Sequence, residues 1–266
     1  MSLGSVGNIY SRGEISPARL RAVLSLSGLL AGRPTIAGIE NLGKVPRSRR
    51  LVVATTHLTD LDIPLAARAL DSHLDLAIVD MLPNHDVIKR PGQAILSKLA
   101  SEKNFIPVDY SVDKQGNETA GLFNPRNFTP MLNAIDSGKA LVIAAHEPSP
   151  DRKFTKPGVG ASYLAAVTGA MILPVAVNLE ASGNVGMSET KIQTFFARPD
   201  ASVSVGGPVE LPEGPDVGQL GTLMEKRHQG DRLVCSEIEE FHLIKNYLHA
   251  QSEALLDQLK ALSAAQ

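Results

Sequence analysis

The chain has 266 residues, enough for one large α/β domain, or two small ones, with a real core. Its 43% hydrophobic and 20% charged residues are ordinary for a globular protein and exclude global disorder. A formal net charge of −2, 4% aromatics and no Trp supply neither a basic excess for a phosphate backbone nor platforms for base stacking, so no nucleic-acid partner is expected.

Residues 1–36 read as an N-terminal helical segment. Ser16 and Pro17 make an N-cap and first-turn pair that opens a helix running to about Ala31. No basic stretch precedes an apolar one, so secretion is not indicated and a cytoplasmic location is expected. The apolar stretch 22–31 reaches roughly 15 Å as a helix, about half of a ~30 Å hydrocarbon core. It does not span a membrane; it either packs on the main domain or touches a bilayer surface as a lid, which would make the protein peripheral on the inner membrane face.

From residue 50, short apolar runs alternate with helical periodicity. Strands are expected at 51–55, 74–79, 105–108, 140–145, 172–177 and 202–205, with a further one at 193–196. Helices are expected at 62–70, 87–99, 128–136 and 159–167. The uncharged run 161–178 contains Pro174 and reads as helix, turn and buried strand rather than as a membrane span. This alternation predicts a single α/β domain over residues 37–211, with a mixed, largely parallel central sheet flanked by helices. Pro208, Pro212, Gly214 and Pro215 then break the chain into a helical tail over 212–266, most of it one long C-terminal helix. The tail carries Val234, Ile238, Phe241, Leu248, Leu255, Leu259 and Leu262 at three-four spacing, interrupted by Lys245 and Ser252. Such a stripe docks on its own core or forms an oligomer seam.

Cys235 is the only cysteine, so neither an intrachain disulfide nor a multi-thiolate metal site can form. It lies in a helical pattern without a neighbouring His or basic cluster, and an inert packing role is expected. His73 and His85 read as structural. Arg47, Arg49 and Arg50 form a basic patch, either a solvated edge or a contact for anionic lipid or a carrier phosphate.

Chemistry concentrates in residues 50–65, RLVVATTHLTDLDIPL. A buried strand ends at Thr55 and Thr56, and His57 stands at its mouth, where α/β sheets bind their ligands. Asp62 follows at the start of a helix, where it can orient the imidazole and stabilise the imidazolium formed when a hydroxyl proton is taken. Thr59 and Asp62 also suit a plain capping box. The His-x-x-x-x-Asp spacing is weak by itself, recurring here as His146 and Asp151.

The order of further blocks adds to this. With Thr56, His57 and Asp62 (Thr in place of Asn), then Phe105 to Asp109, then Leu141 to Ser149, then Lys156, Gly158, Pro174 and Val175, and finally FARPDASVSVGGPVEL at 196–211, the chain resembles the glycerolipid acyltransferase family that contains 1-acylglycerol-3-phosphate acyltransferases. The resemblance implies an O-acyltransferase that moves a fatty acyl group from acyl-CoA or acyl-carrier protein to a hydroxyl of a glycerolipid-type acceptor. In that reading His57 is the general base and Asp62 holds it. Glu147 and Ser149 meet the acceptor's hydroxyls, and Lys156 or Arg152 meets a phosphate. The thioester is a co-substrate, and no cofactor or metal is implied; no His-Glu-x-x-His spacing is present.

Besides Thr56, three positions depart from the family. Tyr110 stands where the family has an Arg taken to hold the acceptor's phosphate, and His146 and Pro148 stand where Pro and Gly are usual. Tyrosine cannot offer the bidentate charged contact of Arg, so either Arg152, Lys153 or Lys156 substitutes or the acceptor is not a phosphate monoester. A catalytically degenerate protein that binds lipid or an acyl thioester is the alternative. Neither a Gly-x-Ser-x-Gly elbow nor a Gly-x-x-x-x-Gly-Lys-Ser/Thr loop occurs, which removes most of the case for a serine hydrolase or a nucleotide-dependent enzyme.

Overall fold

The computed structural model describes residues 34–59, 62–81, 105–108, 111–112, 118–119, 125–146, 153–180, 200–228 and 232–265. The predicted elements at 16–31, 87–99 and 193–196 lie outside them.

The run Leu51–Thr55 (β2) is buried at every position and apolar up to Thr55, because both of its faces are covered, as the central strand of a parallel sheet requires. Its neighbours are Ala140–Ala144 (β7) on one side and Met171–Glu180 (β8) on the other, both parallel to it. Beyond β7 follow Leu76–Met81 (β3) and Phe105–Val108 (β4); beyond β8 follow Asp200–Val205 (β9) and Thr35–Ala37 (β1). The seven-stranded order is β1-β9-β8-β2-β7-β3-β4, parallel throughout except for the antiparallel β8–β9 pair. Ser111–Val112 (β5) and Glu118–Thr119 (β6) form a separate antiparallel ribbon. The α/β class and the largely parallel sheet are as expected from sequence; β1, the ribbon and a 3-10 helix at Ile39–Lys44 are additions.

Pro174 sits inside β8 without breaking it. Its carbonyl accepts from Gly206 N–H at 2.8 Å, so its backbone polar edge faces the β9 side, one residue before the β9 ladder begins at Val175. The missing N–H lies on that same side, away from β2, so proline costs at most the one bond that would return to Gly206.

Helices cover both faces. Asp62–Leu70 (α1) packs on Leu51, Val53, Ile78, Leu173 and Val175. Pro125–Asp136 (α2), Gly160–Thr168 (α3), Gln219–His228 (α4) and Cys235–Ala264 (α5) contribute to the core on the other face, against Val52, Ala54, Leu141 and Ile172. Fully burying a Val, Leu or Ile contributes roughly 1.5–3 kcal/mol each, so this double-sided core dominates the stability.

The long helix α5 docks on its own domain through Ile244, Leu248, Leu255, Leu256 and Leu259. Two predicted stripe members depart from this, since Val234 and Ile238 are exposed. So is Cys235, and the expected packing role for its thiol is corrected: the first turn of α5 begins away from the core. Ser252, which broke the apolar pattern, is buried on the docked stripe. Its Oγ lies 2.9 Å from that of Ser162 on α3 and 2.8 Å from the Leu248 carbonyl. The carbonyl can only accept, so Ser252 donates to it and the Ser162 hydroxyl donates to Ser252. Ser252→Ala strands the Ser162 hydroxyl and should cost about 1–2 kcal/mol, read as a lowered urea midpoint.

The basic patch lies at the amino end of β2. Arg49 pairs with Glu210, and Arg50 meets Asp136 at 2.9 Å and the Thr168 carbonyl at 2.9 Å. Arg50 thereby ties together α2, α3 and the start of β2, at the opposite end of the strand from His57.

Candidate active site

Parallel register places the chemistry. Thr55 pairs with Ala144, so two residues further on His57 and His146 arrive side by side beyond the carboxyl ends of adjacent strands. Ala145 N–H donates to the Thr55 carbonyl at 2.9 Å, and Thr56 N–H donates to the Val175 carbonyl at 3.2 Å, closing the sheet up to this rim. The His57 N–H then bonds a side chain instead of a strand, His146 Nε2 at 2.9 Å.

His57 is 5% exposed, and its Nδ1 has no hydrogen-bond partner. Thr55 Oγ1 is likewise buried and unbonded. Burial, and secondarily the neighbouring His146, lower the His57 imidazole to about pKa 4, so the ring is neutral at physiological pH. An unbonded ring nitrogen on a neutral buried histidine costs stability and leaves that atom open to a further group.

Asp62 is 1% exposed, but its carboxylate does not hold that nitrogen. Oδ2 accepts from Leu58 N–H at 2.8 Å, and Oδ1 accepts from the Thr59 hydroxyl. The Thr56 hydroxyl and Thr59 N–H also reach the carboxylate. The expected hold of Asp62 on the His57 ring is thus replaced by local capping. The cause is the short strand-to-helix turn, whose N–H groups lack ladder partners and capture a short acidic side chain a few residues away. Burial outweighs these bonds and raises the Asp62 carboxyl to about 6.

Thr56, in the position where Asn was expected, accepts from Val177 N–H at 3.0 Å and anchors the rim to β8. Residues 153–158 fold back over the end of β7: Gly158 N–H donates to the Ala145 carbonyl at 2.8 Å, and Pro157 bridges His146. This segment leads into α3 and carries Lys153 and Lys156, both exposed. A Cβ at Gly160, the first residue of α3, would stand 3.2 Å from Ile143 Cδ1, so glycine lets the helix start close to β7. Tyr110, Glu147, Ser149 and Arg152 lie outside the described residues.

The residue that sequence reasoning undervalued is His146. It entered as a recurrence of the His-x-x-x-x-Asp spacing and as a misfit to a motif, yet it is 2% exposed and in direct contact with the His57 backbone. Its position two residues past a strand, as for His57, was the available signal. Among the described residues, no group of three His, Cys, Asp or Glu side chains could hold a metal ion. Nor, among them, is any helix long and apolar enough to cross a membrane.

No protein-family model matches the chain, and no curated protein matches it. Among solved structures it is similar to the crystal structure of the 1-acyl-sn-glycerophosphate (LPA) acyltransferase, PlsC, from Thermotoga maritima, at 15% identity and a TM-score of 0.46, over 92% of this chain and 82% of that one.

Proposed function

We propose that the protein is an acyltransferase that moves a fatty acyl group from a thioester, acyl-CoA or acyl-carrier protein, to a hydroxyl, with His57 as the general base. The observation that carries this reading is the neutral, buried His57 imidazole with an unbonded Nδ1 at the carboxyl end of the central strand. A base kept deprotonated by its surroundings can take a proton from an acceptor hydroxyl as that hydroxyl attacks the thioester carbonyl. The thiol leaves, carrying the proton that His57 returns.

In the same reading Asp62 steadies the turn that carries His57. Glu147 and Ser149 meet the acceptor, and Arg152 or Lys156 meets a phosphate of acceptor or carrier. Tyr110 in the place of an Arg favours either a phosphate contact from the 152–156 segment or an acceptor without a phosphate monoester. The greasy substrate is met at a bilayer surface from the cytoplasmic side. One observation favours a second reading, a protein that binds lipid or acyl thioester without turning it over: the Asp62 carboxylate is engaged by Leu58 and Thr59 rather than by the ring.

Incubation with palmitoyl-CoA and a panel of hydroxyl acceptors, 1-acylglycerol-3-phosphate among them, followed by mass spectrometry of the lipids, separates the two. An acylated acceptor is the expected product. Saturable palmitoyl-CoA binding with no acylated product would establish the binding protein instead.

A further inference from the structure

With Asp62 turned into the 58–59 turn, another group must fix the peptide that carries the base. We propose that His146 is that positioning residue, acting through a hydrogen bond from the backbone of His57 to its ring. The inference rests on the reading of His57 as general base and adds to it a residue that stands where the acyltransferase pattern has proline.

The geometry dictates how His146 must work. A backbone N–H can only donate, so the Nε2 atom that receives it from His57 at 2.9 Å carries no proton. The neutral ring then bears its hydrogen on Nδ1, which lies 3.3 Å from Thr155 Oγ1, and that hydroxyl accepts. The ring of Phe154 lies against His146 at 5.3 Å between centroids, tilted by 55°. The bridge to Pro157 holds the His146 backbone. His146 is therefore a buried acceptor of fixed tautomer, clamped by the 154–157 segment. It satisfies the His57 N–H, which bonds neither β7 nor β8. The peptide of His57 is set from β7, and the ring position follows from the peptide. A shift of about 1 Å at a reacting group can cost roughly 10²-fold in rate, so the anchor acts on turnover without touching substrate.

Three variants test this in the full chain. His146→Leu keeps bulk and removes the acceptor. His146→Gln places an amide oxygen close to the position of Nε2. Thr155→Val removes the group that fixes the tautomer. Transfer from palmitoyl-CoA to 1-acylglycerol-3-phosphate should show kcat lowered roughly 10- to 100-fold in His146→Leu with KM nearly unchanged, most of it restored in His146→Gln, and a smaller loss in Thr155→Val. Nitrogen-15 spectra of the histidine rings, recorded on the wild-type protein without substrate, should show His146 protonated at Nδ1 and bare at Nε2. Wild-type kcat in the Leu variant, a loss as deep in Gln as in Leu, or a proton on Nε2 each overturns the inference. Absence of transfer in the wild type sinks the acyltransferase reading itself, and with it the role assigned to His146. Should the Leu variant fail to fold, the Gln variant and the tautomer decide.

Discussion

Replacing His57 by Gln is expected to lower acyl transfer by roughly 10²–10⁴-fold while leaving the unfolding free energy within about 1 kcal/mol of wild type at pH 7. On the proposed function the base acts only as the hydroxyl proton moves, so kcat and kcat/KM should fall together and KM should stay close to wild type. The pH profile carries a second signature. The ring titrates near 4 rather than at the ordinary 6.5, so the acid limb of wild-type kcat/KM should lie well below that of a solvent-exposed histidine. Steady-state kinetics from pH 4 to 8 read both. Wild-type turnover in the Gln variant would remove His57 from the mechanism.

The second large effect is on stability against pH, where two buried groups pull in opposite directions. His57 falls from 6.5 to about 4 in the folded protein, so the folded state prefers its neutral form. That contribution is present above pH 6.5 and is lost as the pH falls through 4. Asp62 rises from 3.8 to about 6, so the folded state prefers its protonated form. Its contribution is complete below 3.8 and is lost as the pH rises through 6. Each is of order 3 kcal/mol at about 1.36 kcal/mol per pKa unit, and between pH 4 and 6.5 they offset one another. Removing one exposes the other. Relative to wild type, His57→Gln should gain roughly 3 kcal/mol as the pH is lowered from 7 to 4, and Asp62→Asn should lose a similar amount. Urea unfolding of the three proteins at pH 4, 5.5 and 7 measures this. Constant offsets from wild type at every pH would mean that neither group is held away from its ordinary titration.

Most of the framework is legible from residue order because it depends on local pattern. The apolar run of β2 and the helical period of α1 fall where the structure has them, Leu51–Thr55 and Asp62–Leu70. Boundaries slipped where periodicity is silent, as at β8, which extends beyond its apolar stretch through Asn178 to Glu180 in its ladder with β9. β1 was not legible, since all three of its residues are exposed and make no apolar pattern. Ser252 looked like a fault in a stripe because the hydroxyl that satisfies it, on Ser162, is 90 residues away. The site divides in the same way. His57 at a strand mouth is a sequence feature, but the pairing of β2 with β7 is not, and that pairing alone brings His146 to it. Whether Asp62 faces a ring or a turn is decided by a side-chain rotation that spacing does not encode.

Strand order has a consequence for how the protein comes into being. Both sheet neighbours of β2 lie far downstream, β7 at residues 140–144 and β8 at residues 171–180. During synthesis the central strand leaves the ribosome with neither edge covered, and the partner of the His57 amide follows 89 residues later. The geometry around His57 is a late, collective product of assembly. Contacts of such long range make for slow folding, and until they form the emerging LVVAT segment needs protection from aggregation.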